Sequence, residues 1–100
     1  MAKNLNAAEA KPLLGEFEVI VDVRSKKEWD AGHLELPSVR FEESLHEHPD
    51  KIPALVSEIA SKKVLVHCGS GMRAGKAGKL LEGKVADLTI VNSGGYSHLV

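Results

Sequence analysis

The stretch from Val64 to Lys76 constrains this chain most: Val-Leu-Val-His-Cys-Gly-Ser-Gly-Met-Arg-Ala-Gly-Lys. Its opening aliphatic run has no polar alternation. That predicts a strand buried on both faces, as in a parallel sheet covered by helices. Gly69 and Gly71 then turn the chain, and Ala74, Ala77, Leu80 and Leu81 recur at helical spacing behind them, with Gly83 as the stop. A buried strand, a glycine turn and a helix in that order predict an α/β fold, where ligands bind beyond the carboxyl ends of the strands.

The rest of the chain repeats the alternation. Asn6 and Glu9 form a capping box that opens a short helix, which Pro12 ends or kinks. Phe17 to Val23 predicts a strand. Ser25 and Glu28 form a second capping box, opening a helix of about two turns that Gly32 stops. Leu36 to Phe41 reads as a short extended piece, and Glu42 to His48 as a weak helix. Asp50 is the expected cap of a better helix, with Ile52, Leu55, Val56, Ile59 and Ala60 on one face and Pro53 in its first turn. Lys63 to His67 and Leu88 to Val91 complete the strands, and Ser93-Gly94-Gly95 turns into a C-terminal stub.

Composition narrows the function classes. One hundred residues predict one domain over 1–100. Thirteen basic against 14 acidic residues give a formal charge of −1, without the basic excess of an electrostatic nucleic-acid binder. No apolar run approaches the about 20 residues of a membrane span, and the N-terminus has no signal-type apolar core. The single cysteine, Cys68, excludes an intrachain disulfide and any multi-cysteine metal site. These features predict a cytoplasmic protein in a reducing compartment, with neither nucleic acid nor membrane as partner.

Cys68 stands where a strand end meets a helix start. The helix N-terminus offers unpaired N–H groups and partial positive charge, Gly69 and Gly71 let backbone N–H groups turn inward, and Arg73 adds a cation. Such an anion cradle around a sulfur favours the nucleophilic thiolate. Other loop patterns fit less well. Ser70 to Ala77 imitates a Walker A loop but lacks its first glycine and its hydroxyl metal ligand. Gly69 to Ala74 fits G-x-G-x-x-A, with too little chain after it for a dinucleotide fold. A cysteine phosphatase loop would need one more residue between Cys68 and Arg73. His46 and His48 have no third metal ligand nearby in sequence and read as a solvated helix end.

Four landmarks in order resemble the single-domain rhodanese family of thiosulfate sulfurtransferases. They are Asp22-Val23-Arg24, Glu28-Trp29-Asp30-Ala31-Gly32-His33-Leu34, the loop Cys68-Gly69-Ser70-Gly71-Met72-Arg73, and Gly94-Gly95-Tyr96. The resemblance implies a doubly wound parallel sheet flanked by helices. It also implies a catalytic Cys68 that takes sulfur from thiosulfate or a persulfide donor and hands it to cyanide or a thiol. Gly69, Ser70, Gly71, Met72 and Arg73 would bind the anionic donor, while Asp22, Arg24, Glu28 and His33 would support the site. No metal or organic cofactor is implied. A non-catalytic interaction or regulatory module of the same fold is the alternative, with a phosphatase-like enzyme behind it. Gly69 stands where many thiosulfate-using members carry a basic residue, and Glu35-Leu36-Pro37 where the family often reads P-G-A.

Overall fold

A computed structural model describes residues 2–100. Its strands are β1 (Lys3–Asn6), β2 (Val19–Asp22), β3 (Val39–Phe41), β4 (Lys63–His67) and β5 (Asp87–Ser93). They form one sheet in the order β1-β5-β4-β2-β3, and every pairing is parallel. The helices are α1 (Ala7–Ala10), α2 (Lys26–Ala31), α3 (Ile52–Ile59), α4 (Met72–Leu81) and α5 (Tyr96–Leu99). Among the described residues, no helix is long and apolar enough to cross a membrane.

Both faces of the sheet are covered, so β2 and β4 are apolar on both sides. Val19, Val21, Val64 and Val66 pack with α3 and α4 through residues such as Leu55, Ile59, Ala77 and Leu81. Ile20, Leu65 and Val91 point the other way, onto Ala7, Ala10, Leu14 and Leu99. Both capping boxes form as the sequence predicts, at Asn6 with Glu9 and at Ser25 with Glu28. Gly83 takes a left-handed φ of 80° just beyond α4.

Three local expectations are corrected, and one strand carries no signal in the sequence. The polar Lys3–Asn6 segment is a strand, recruited by the open edge of β5. Phe17 lies outside β2, ending a 3-10 turn (Lys11–Glu16) and packing beneath the sheet. Asp50 does not cap α3: Pro49–Lys51 forms a 3-10 turn that runs directly into the helix, so no side-chain cap is present. Glu42 to His48 holds only a 3-10 turn, Leu45–Glu47, anchored by the fully buried Leu45.

The topology positions the site. From β2 the chain moves outward to β3, whereas from β4 it moves in the opposite direction to β5. The switch point therefore lies between the carboxyl ends of β2 and β4, where an α/β sheet opens a crevice. Asp22 and His67 end those two strands as register partners.

Candidate functional site

Cys68 follows β4 directly and is fully buried. The Gly71 N–H donates to its Sγ at 3.0 Å. Gly71 has φ 98°, and a Cβ there would run into the backbone of Asn92 and Ser93 on β5. Only glycine closes the loop this way. From behind, the Tyr96 N–H donates to the Cys68 carbonyl at 2.9 Å. Gly95 lies so close to the backbone of Cys68 and Gly69 that no side chain fits. The Gly94-Gly95-Tyr96 turn is thus the back wall of the cysteine loop.

The helix start faces the same loop. Helix α4 has no side-chain cap, and its first helical bond runs from the Gly75 N–H to the Gly71 carbonyl at 2.9 Å. The N–H groups that precede it have no intrahelical partner and carry the positive end of the helix dipole. Six contiguous residues, Cys68 to Arg73, therefore converge as the sequence groups them. Ser70 is exposed, and Met72 is 71% exposed on the outer rim.

Arg73 does more than border the loop. Its Nη1 and Nη2 donate to Glu28 Oε1 and Oε2 at 2.6 and 3.0 Å, a two-point ion pair. The same Oε1 also accepts from the Ser25 N–H and hydroxyl, at 3.1 and 2.9 Å. The Arg73 hydrogen bonds and those from Ser25 outweigh burial and lower the Glu28 carboxyl from 4.5 to about 2. Glu28 in turn raises the Arg73 guanidinium further. The capping box makes Glu28 legible as a helix residue, but its grip on a loop 45 positions away carries no local signal.

The other expected support residues lie apart from the sulfur. Asp22 and Arg24 form a buried ion pair at 2.8 Å. Arg24 also donates to the Gly32 carbonyl at 2.8 Å and stacks over the Tyr96 ring at 4.2 Å. The pair thus ties β2 to the end of α2 and to α5. His33 sits in an aromatic stack, 3.7 Å from Trp29, which itself stacks on Phe41. Its Nδ1 meets the Trp29 carbonyl at 2.9 Å, a bracing contact. His67 points away from the face that holds Cys68, as strand alternation requires. It is fully buried, and neither ring nitrogen has a hydrogen-bond partner. Burial pushes its imidazole down, against the opposing pull of Asp22. Among the described residues, no three His, Cys, Asp or Glu side chains gather where they could hold a metal.

A groove of about 710 Å³ lies elsewhere, lined by Leu14, Leu34, Leu36, Tyr96 and Leu99 among others. It includes no loop residue from Cys68 to Arg73 and no thiol.

Comparison with known proteins agrees with this geometry. The family described as Rhodanese-like domain matches residues 6–99. A rhodanese-like domain protein from Staphylococcus aureus superposes with a TM-score of 0.71 at 26% identity, covering 98% of this chain and 91% of that one. A Helicobacter pylori protein of known solution structure gives 0.72 at 26% identity, with 96% and 80% coverage. Among curated proteins, a tRNA uridine(34) hydroxylase from Salmonella arizonae is 35% identical over 78 residues, which is 73% of this chain and 21% of the relative. One from Enterobacter is 33% identical over the same shares. The chain thus spans about a fifth of the length of these curated relatives.

Proposed function

The chain belongs to the rhodanese-like domain family, and from that premise we propose that it is a sulfurtransferase working through a persulfide on Cys68. The observation that carries this reading is the Sγ of Cys68 receiving the Gly71 N–H at the mouth of an uncapped helix. The thiolate attacks the outer sulfur of thiosulfate or of a persulfide donor. The donor's S–S bond breaks, and sulfite or a thiolate leaves with the electron pair. A nucleophilic acceptor, cyanide or a cellular thiol, then takes the outer sulfur and returns the Cys68 thiolate. This is covalent catalysis in two half-reactions. Backbone N–H groups of Gly69 to Arg73 would stabilise the charge that moves between donor, cysteine and leaving group. Arg73 would fix the loop through Glu28, while Asp22, Arg24 and His33 would hold the surrounding elements. All of this would operate within one domain and without metal or organic cofactor.

Intact mass after exposure to thiosulfate and, separately, to glutathione persulfide tests the reading. The expected result is a gain of one sulfur atom that reductant removes and Cys68→Ser abolishes. A folded protein that gains sulfur from neither donor sinks it.

The names of the curated relatives favour a second reading, in which the same fold serves tRNA uridine hydroxylation. A formal charge of −1 offers this chain little purchase on a tRNA backbone. Salt-dependent tRNA binding that Cys68→Ser leaves intact, with no persulfide formed, would favour that second reading.

A further inference from the structure

We propose that Glu28 sets the charge preference of the Cys68 site, turning it away from dianionic sulfur donors such as thiosulfate and toward donors of low charge, such as organic persulfides. This rests on the persulfide reading above and names its substrate class.

Between Cys68 and Arg73 the only charged side chain is that of Arg73. The two-point pair with Glu28 already neutralises it. The carboxylate also stands beside Gly69, the residue that follows the cysteine: a Cβ built there would lie 3.3 Å from Glu28 Oε2 and 3.0 Å from Arg73 Nη2. Gly69 itself adds no cation. The next arginine, Arg24, is matched by Asp22 and stacks on Tyr96. Lys76 is exposed, one turn further along α4. Apart from the Cys68 thiolate itself, the net side-chain charge at the loop is therefore zero. Only backbone dipoles greet the donor, and they suit one negative centre better than two.

Glu28→Gln isolates the charge. Glutamine keeps a capping-box side chain at this position and can still accept from Arg73, but the pocket gains one net positive charge. Alkylation of Cys68 reads that charge directly, comparing anionic iodoacetate with neutral iodoacetamide. The expected result is a three- to tenfold rise in the iodoacetate-to-iodoacetamide rate ratio, about what one unscreened charge at a few ångströms supplies in water. The rise should shrink as salt increases. The ratio of kcat/KM for thiosulfate to that for cysteamine persulfide, whose ammonium balances its persulfide anion, should rise by a similar factor, chiefly through KM. A purely bracing role would lower all four rates together and leave both ratios unmoved, which would overturn the proposal. Should Glu28→Gln fold poorly, the unmodified protein gives the same test: its alkylation ratio should hold or rise modestly with salt, because only the thiolate remains to be screened. A ratio that falls steeply with salt would reveal an uncompensated cation and defeat the idea. The alkylation ratios do not depend on sulfur transfer. Failure of both donors to load Cys68 would instead defeat the persulfide reading alone.

Discussion

At the scale of single residues, contiguity decides what can be read in advance. The loop Cys68 to Arg73 is legible because its nucleophile, its turn glycines and its helix start lie within six positions. The Glu28–Arg73 pair is not legible, since it forms only when α2 and α4 are placed by the sheet. That pair changes what Gly69 means. Gly69 lacks a left-handed φ, and the atoms nearest its Cβ position are the mobile ends of Arg73 and Glu28. Gly69→Arg should therefore fold, and its guanidinium should compete for Glu28 and leave one cation facing the donor. The expected gain in kcat/KM for thiosulfate is about tenfold, near the lower end of one charge-assisted hydrogen bond. Steady-state kinetics beside a melting curve checks it, and a folded variant with no gain refutes it. Asp22→Asn acts elsewhere. It leaves the Arg24 guanidinium, only 4% exposed, without its counter-charge. Breaking such a pair costs about 3–5 kcal/mol. The urea midpoint should drop accordingly, and a loss below about 1 kcal/mol would mean that the Gly32 carbonyl and Tyr96 hold Arg24 alone.

At the scale of elements, strands apolar on both faces and helices opened by capping boxes announce themselves, because short-range patterns carry their stability. Strand β1 does not, since its alternation is polar and only the unpaired edge of β5 recruits it. The start of α3 shows the same dependence on context: the 3-10 turn at Pro49 feeds the helix directly, so the Asp50 side chain has no cap to make. Helix α4 offers a test in which neighbouring turns respond with opposite sign. Gly75 has open space around its Cβ position, so Gly75→Ala should gain about 0.5–1 kcal/mol from helix propensity. Gly78 faces the stiff side chain of Ile90 on β5 at a distance no Cβ tolerates. Gly78→Ala overpacks that contact at a cost of about 1–3 kcal/mol, more than the same propensity returns. Chemical denaturation of the two variants should shift in opposite directions. A shift of the same sign in both would show that α4 and β5 separate more readily than their packing implies.

At the scale of the whole molecule, the acid response follows from two groups on different sides of the sheet. His67 ends a strand that must be buried on both faces, and burial keeps its imidazole neutral. The unfolded chain binds a proton there near 6.5 that the native state resists. Stability is therefore full above that pH and falls as pH drops through it. Glu28 adds a second loss at lower pH. Its native carboxyl stays charged down to about 2, whereas the unfolded group protonates near 4.5. The contribution of the Arg73 pair holds above 4.5 and drains between there and about 2. Because Glu28 is 36% exposed, solvent screening keeps that second step modest. Urea midpoints measured from about pH 8 to pH 3 should thus decline in two stages. His67→Leu should remove the first stage and cost little at neutral pH, since it replaces two unpartnered ring nitrogens with apolar atoms. Glu28→Gln should remove the second stage and keep the first. A profile of the unmodified protein that stays flat through the histidine range would mean that Asp22, 3.9 Å from the ring, accommodates a buried imidazolium after all.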